Sequence, residues 1–421
     1  MNVYNLLMIV CFTIGYLLIA LEHCTKINKT AVALLTAIAC WFLQFMKNRE
    51  FTDHNISFLS EHLANISEII VFLMAALTII AVINAHKGFA LVSNAINVRS
   101  KRKLLWLIGL SSFFLSAVLD NLTTTIVMIS LLSKLVSDAD DRPLLGGAVV
   151  IAANAGGAWT PIGDITTTML WIGGQISASN IMQKLFLPSL VCLLCALIYL
   201  SFYLRGNFPQ ILKNVDEEFE PGGLLILCLG VSSLIFIPIF KTLTGLPPFM
   251  GILLGLGLMW LITDIMHARF ADRPHLRVPT IMREIDLSSV MFFLGILLAV
   301  DALYTAGCLA CLAEWMSHTF ANTDIIAVII GIASAVIDNV PLVAATMGMY
   351  SLEQYPQDSN FWSLIAYCAG TGGSMLIIGS AAGIAYMGLE RVSFFWYMRN
   401  VGAAASVGYF AGIAVFKLMN V

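Results

Sequence analysis

Three acidic residues stand inside long apolar stretches, each beside small, amide or hydroxyl side chains. They are Asp120 in Leu119-Asp120-Asn121-Leu122-Thr123-Thr124-Thr125, Asp164 in Thr160-Pro161-Ile162-Gly163-Asp164-Ile165-Thr166-Thr167, and Asp338 in Ile337-Asp338-Asn339-Val340-Pro341. A charged side chain at membrane depth costs roughly 2.5 to 3.5 kcal/mol on insertion scales, so such residues are kept for function. Around them the chain offers oxygen: the amides of Asn121, Asn154 and Asn339, the hydroxyls of Thr124, Thr160, Thr166 and Thr167, and the carbonyls freed wherever a helix breaks. Hard monovalent cations take oxygen ligands. The set suits Na+ or Li+, with Asp120 and Asp164 expected to hold the ion. Gly156, Gly157 and Gly163, and later Gly372, Gly373 and Gly379, would let backbone approach an ion with no Cβ in the way. An acid deprived of water holds its proton tightly, while a bound cation favours the ionised form. Proton and cation are therefore expected to compete for one site. Asp164 and Asp120 rank ahead of Asp338, because the first break keeps an acid where the second has Ser380.

The elements that must position these residues are membrane helices. Of 421 residues, 59% are apolar and 11% charged, and the mean hydropathy is +0.89. Apolar runs fall at 3–21, 30–46, 66–84, 104–136, 144–172, 185–204, 223–240, 248–266, 287–303, 323–350, 361–389 and 394–416. A spanning helix needs about 20 apolar residues. The runs 104–136 and 323–350 are too long for one span and too short for two, and each has its Asp-Asn pair at the centre, which predicts re-entrant hairpins. The glycine-rich interruptions within 144–172 and 361–389 predict broken helices. Non-helical backbone at this depth survives only where protein buries it or it lines a cavity.

An internal repeat ties these features together. Ser116-Ala117-Val118-Leu119-Asp120-Asn121 returns as Ser334-Ala335-Val336-Ile337-Asp338-Asn339, an offset of 218 with five of six residues identical. Gly156-Gly157 and Gly163-Asp164 return as Gly372-Gly373 and Gly379-Ser380 at an offset of 216. Five crossings between equivalent points invert the second copy. The expected fold is an all-α polytopic membrane protein with an inverted-topology repeat, two re-entrant hairpins, two broken helices and about ten full spans. Its parts are N-terminal helices (1–60), a first repeat (61–205), a linker with central helices (206–283) and a second repeat (284–421). Basic clusters at Arg99, Lys101, Arg102 and Lys103 and at Arg269, Arg273, Arg277 and Arg283 are expected on the cytoplasmic side, with the acidic linker Asp216-Glu217-Glu218. Both termini then face the periplasm of a bacterial inner membrane.

Other features carry less. The nine cysteines lie mostly in apolar runs and read as core residues, Cys192/Cys195 and Cys308/Cys311 lacking partners at zinc spacing. Thr123, Thr125 and Ser374 could simply cap broken helix ends. His86, His267 and His275 read as solvated loop residues, Asp301 as interfacial, and the Trp and Tyr residues mostly as an interfacial belt. A nucleic-acid partner, a cofactor and an enzymatic reaction are not expected. Three rivals are a Na+-coupled carboxylate symporter, an arsenite or other oxyanion exporter, and an intramembrane aspartyl protease. Acids at both tips repel an anion. The Gly163-Asp164 step lacks the protease's Gly-x-Gly-Asp, position 161 being Pro.

The two Ser-Ala-x-x-Asp-Asn segments and the stretch from Asn154 to Thr168 resemble the NhaD-type sodium/proton antiporters, members of a superfamily that includes arsenite pumps and divalent-anion/sodium symporters. The likeness runs from about residue 60 to the end. It implies Na+ or Li+ export at alkaline pH, a role in pH homeostasis, and a homodimer with scaffold and moving transport domains. It also implies that Asp120, Asn121, Asn154, Asp164, Thr166 and Thr167 of the first repeat, and Ser334, Asn339 and Ser374 of the second, are transport residues.

Overall fold

A computed structural model describes residues 2–47, 52–89, 97–136, 141–213, 220–270, 272–320 and 322–420. The acidic linker at 216–218 lies outside the described residues. The chain opens with α1 (Val3–Ala20), α2 (Glu22–Thr25), α3 (Lys29–Lys47) and α4 (Thr52–Ala85). After β1 (Asn97–Ser100) come α5 (Lys101–Leu119), α6 (Asn121–Leu135), α7 (Asp141–Gly157), α8 (Ile165–Ile172) and α9 (Ala178–Ser201). Then follow β2 (Asn207–Lys213), α10 (Gly223–Thr244), α11 (Pro248–His267) and the short α12 (Val278–Ile281). The last part holds α13 (Leu287–Thr305), α14 (Cys308–Thr319), α15 (Thr323–Ala333), α16 (Asn339–Met349), α17 (Asn360–Gly372), α18 (Ala381–Glu390), α19 (Phe394–Asn400) and α20 (Gly402–Met419).

Among the described residues, eight helices are long and apolar enough to cross a membrane. The chain is therefore an all-α, multi-pass membrane protein. Several boundaries differ from the hydropathy reading. The run at 66–84 is the second half of α4, a single helix of 34 residues whose first half carries Glu61. Helix α14 was not expected, because Glu314 and His318 interrupt its apolar face. Helix α5, at 19 residues, is long enough to cross alone. In contrast α15 and α16 have 11 residues each, about 16 Å of helix and half a bilayer.

The packing exchanges elements between early and late parts of the chain. Helix α5 lies on α7, and α15 lies on α17. Helix α18 packs on α6 and α7, while α8 packs on α16 and α17. Helices α9 and α20 run against each other. A wall of α1, α3 and α13 flanks this core, fastened where Trp41 Nε1 donates to the Leu298 carbonyl at 2.9 Å. A second flank joins α4 to α10 and α11. At one end β1 pairs antiparallel with β2, Asn97 opposite Lys213, tying the start of α5 to the end of α9.

Seven of the Trp and Tyr residues lie inside the bundle, away from any interfacial belt. Trp171, Trp362, Tyr350, Tyr367, Tyr386, Tyr397 and Tyr409 are fully buried. Several phenols satisfy carbonyls inside the bundle: Tyr409 Oη donates to Val328 O at 3.0 Å and Tyr397 Oη to Ser374 O at 2.9 Å. A core with interrupted helices has more carbonyls to satisfy than regular spans have.

Nor are His86 and His267 solvated. They are 0% and 1% exposed, with Nε2 atoms 3.1 Å apart, because the ends of α4 and α11 cover one another. Lys87 and Glu220 pair beside them at 2.9 Å, and the Arg273 guanidinium adds positive charge near His267. Burial holds His86 below its ordinary 6.5, outweighing the Val82 carbonyl and Glu220, which pull the other way. A histidine with a depressed folded-state pKa binds fewer protons folded than unfolded, so its stability contribution is present above about 6.5 and lost as pH falls below it. The detergent-solubilised protein should therefore melt at lower temperature as pH drops from neutral to mildly acidic, and His86→Gln should flatten that dependence. An unchanged slope in the variant would remove His86 from the explanation.

Candidate cation and proton site

Four short helices begin at one place. Helix α6 starts behind Asp120, α8 behind Asp164, α16 behind Asp338 and α18 behind Ser380, each of the four side chains accepting a backbone N–H of its own first turn. Asp164 and Ser380, equivalent in the repeat, have nearly the same backbone, φ −144° and ψ 146° against φ −146° and ψ 154°. Asn121 at the start of α6, Asn339 at the start of α16 and Ser380 meet in a buried network centred on Asp164, which is 1% exposed. Its Oδ1 accepts Thr166 N and Thr166 Oγ1, both at 2.8 Å. Its Oδ2 accepts Asn121 Nδ2 at 2.7 Å and Asn339 Nδ2 at 3.3 Å. Asn121 also donates to Asn154 Oδ1 at 3.0 Å. Asn154 Nδ2 in turn donates to Ser374 Oγ at 2.8 Å and Ser380 Oγ at 2.9 Å. Side chains from both parts of the chain thus build one site.

The other candidates have separate places. Asp120 caps α6, accepting Thr123 N at 2.8 Å and Thr123 Oγ1 at 2.9 Å. It does so at φ 103°, a conformation that strains a residue with a Cβ by about 1–3 kcal/mol and collects at functional sites. Asp338 accepts Val340 N at 3.3 Å and lines a small cavity with Tyr16 and Lys29. Thr160 Oγ1 donates to Ala117 O at 2.7 Å and Thr167 Oγ1 to Asp164 O at 2.9 Å, so both hydroxyls hold backbone. Ser334 Oγ donates to Ala369 O at 2.8 Å, matched by Ser116 Oγ to Ala153 O at 2.6 Å. The Thr124 and Thr125 hydroxyls are buried and have no partner among the described residues, leaving oxygen free for a ligand. Ser380 is a network member that the sequence reading treated only as a missing acid; its equivalence to Asp164 was the available signal.

The glycines serve helix contact. A Cβ on Gly156 would stand 2.1 Å from Phe113 O on α5, and one on Gly372 would stand 2.1 Å from Gly331 O on α15. Gly157 and Gly163, like Gly373 and Gly379, approach each other across their own breaks. Their lack of a Cβ brings backbone against backbone.

Two cavities lie along helices that start at or beside the network. One of about 420 Å³ is lined by Met169 and Ile172 of α8, by Gly173 just beyond it and by Ala344, Met347 and Gly348 of α16, with His62 and Asp301. The other, of about 500 Å³, is lined by Leu122, Thr123 and Ile126 of α6 and by Ala381, Ile384 and Ala385 of α18. Asp301, expected at an interface, lines the first cavity and pairs with His62 at 3.5 Å.

A family model described as "Citrate transporter" (CitMHS) matches residues 16–363. "Sodium/proton antiporter 1" of Arabidopsis thaliana is 51% identical over 98% of this chain and 72% of its own length. "Sodium/proton antiporter 2" of the same plant is 48% identical over 98% of this chain and 99% of its own. "Na(+)/H(+) antiporter NhaD" of Alkalimonas amylolytica is 31% identical over 98% of this chain and 90% of its own. With this coverage, the chain belongs to the citrate-transporter family and, within it, to the NhaD-type sodium/proton antiporters.

Proposed function

We propose that this protein is a secondary active transporter, not an enzyme, that exchanges Na+ or Li+ for H+ by alternating access, cation and proton competing for Asp164. The carrying observation is a buried carboxylate gripped by the N-terminus of α8 and by amides from both repeats. Helix N-termini carry partial positive charge and ordinarily welcome an anion. Here the protein's own carboxylate takes that position, flanked by Asp120 and Asp338. A citrate or dicarboxylate would meet like charge, which disfavours the symporter reading. Asn121 and Asn339 can present N–H to the carboxylate or, after half a turn of the amide, oxygen to a cation. Asn154, Ser374 and Ser380 supply further oxygen in the same network, Thr124 offers an unpartnered buried hydroxyl on α6, and Asp120 adds a second carboxylate at the α6 cap.

The inverted repeat belongs to the same reading. It is supported by the matched Ser116 and Ser334 bonds and the matched Gly156 and Gly372 contacts. Asp120–Asn121 and Asp338–Asn339 are the hairpin tips, and the 157–164 and 373–380 segments are the helix breaks. Opposed cavities along α8/α16 and along α6/α18 then act as the two access routes. Both termini are placed on one face, periplasmic in a bacterial inner membrane; relatives from plants as well as bacteria widen the setting to other energised membranes. A homodimer, with lipid over the remaining apolar surface, completes the assembly.

The deciding experiment is reconstitution into proteoliposomes with an imposed ΔpH, followed by addition of Na+, Li+, K+, citrate or succinate. Collapse of the gradient by Na+ or Li+ with no organic anion is expected. Inert Na+ combined with Na+-dependent citrate uptake would move the chain to the symporter function.

A further inference from the structure

A second ionisable pair stands apart from the Asp164 network. Asp301 on α13 faces His62 on α4, Oδ2 to Nδ1 3.5 Å, with side chains 25% and 15% exposed. Both line the cavity of about 420 Å³ walled by α8 and α16. Those two helices begin at the network, behind Asp164 and Asp338, and pack on each other. Met169, five residues after Asp164, and Ala344, six after Asp338, are the first on their helices to line the cavity; at 1.5 Å per residue this lies on the order of 8 Å from the network.

The imidazole is held in place. Its ring meets Tyr304 edge-on at 5.7 Å, stacks on Phe58 at 6.4 Å and lies beside Trp41 at 6.5 Å. Other ionisable groups facing the pair come from each packed element. Glu61 and Glu68 lie on α4, and Lys241 of α10, which feels the charge of Glu68, donates to Trp171 O at 3.2 Å. Lys47 ends α3 and reaches the Ala306 carbonyl. Cys308 and Glu314 stand on α14, and α16 contributes no ionisable group after Asp338. A histidine facing a carboxylate in a cavity that begins within two turns of helix of a buried acid that must gain and lose a proton is arranged to carry that proton.

We propose that Asp301, positioned by His62, is the outer proton-transfer residue of the exchange cycle. This inference rests on the exchange reading above. On delivery the Nδ1–H bond of imidazolium His62 breaks as an O–H bond forms at Asp301 Oδ2, leaving a neutral imidazole and a carboxylic acid. That acid passes its proton to the first of a file of cavity waters, and the last of the file releases one of its own to the Asp164 carboxylate as the cation departs. Asp301 is again a carboxylate and His62 recharges from bulk water. The 3.5 Å separation closes to transfer distance by a shift of about half an ångström or through one bridging water.

The test sets proton movement against cation movement in the same proteoliposomes. Asp301→Asn should slow Na+-driven ΔpH collapse by about tenfold, most strongly at alkaline pH where free protons are scarce. Counterflow of radioactive sodium against unlabelled sodium, which needs no proton, should remain at the wild-type rate. Asp301→Glu should restore proton movement, and His62→Gln should shift its pH profile without touching counterflow. Equal loss in both assays, or wild-type proton movement in Asp301→Asn, would overturn the proposal. Failure of the wild type to couple Na+ to protons would instead sink the exchange reading itself.

Discussion

Asp164→Asn should lose Na+-driven proton movement by about a hundredfold or more while still inserting and folding. Removing one partner of a buried charge contact costs about 2–5 kcal/mol, and about 2.7 kcal/mol is a hundredfold in affinity. The substitution is nearly isosteric, and its oxygen can still accept Thr166 N and Thr166 Oγ1, which now lie 2.8 Å from Oδ1. The difficulty is on the other side. Asn121 Nδ2 and Asn339 Nδ2 both point at Oδ2, where the variant would place an NH2 group. Donor would face donor. One neighbour must turn its amide, and for Asn121 that breaks the bond to Asn154 Oδ1, a local loss of about 1 kcal/mol. The fold tolerates that; a cation deprived of its charged ligand does not. Melting curves give an independent readout, because a ligand that binds only the folded state raises the transition temperature. Na+ should stabilise the wild type and leave Asp164→Asn unmoved. Sodium-driven exchange at the wild-type rate in the variant would dislodge Asp164 from the centre of the site.

That centre was legible because the chain repeats itself. The Ser-Ala-x-x-Asp-Asn segments and the glycine pairs mark the interruptions, and Asn121, Asn154, Asp164, Asn339 and Ser374 do converge. Polar and small residues stand out against an apolar background, so no partner had to be known to find them. Contacts between distant segments gave no such signal. His86 and His267 are separated by 181 residues, and nothing local distinguishes a histidine that will be covered by another helix from one in a loop. Asp301 meets His62 across α13 and α4, so its position late in an apolar run pointed to an interface. The buried tyrosines were missed for the same reason: the carbonyls they satisfy lie on other helices, as Val328 O does for Tyr409. Hydropathy also misplaced the start of α4, where charged residues ride on a continuous helix. The glycines were found, but the contacts of Gly156 and Gly372 were not legible: each lies against a backbone carbonyl of the adjacent helix.

Gly156→Ala and Gly372→Ala should therefore fail together. Each new Cβ would lie 2.1 Å from a backbone oxygen, Phe113 O for the first and Gly331 O for the second, far inside contact distance. A flexible side chain could swing aside, but helix backbone cannot. Separation of α5 from α7, or of α15 from α17, by about 1 Å is the only relief, and overpacking of this kind costs about 1–3 kcal/mol. The functional loss should be larger than the stability loss. Asn154 lies two residues before Gly156, and Ser374 two after Gly372. Moving either helix separates Asn154 from Asn121 or from Ser374, now 3.0 and 2.8 Å away. A misplacement of about 1 Å at a site that depends on positioning can cost 10²-fold, so exchange should fall steeply in variants that still reach the membrane. Gly257→Ala on α11 is the control, since nothing lies within 4 Å of its added methyl. The pair also tests the symmetry. If Gly156→Ala is silent and Gly372→Ala active, only the first of the matched contacts is needed to hold the network; comparable losses mean that the two breaks are held by equivalent contacts, as an inverted repeat requires.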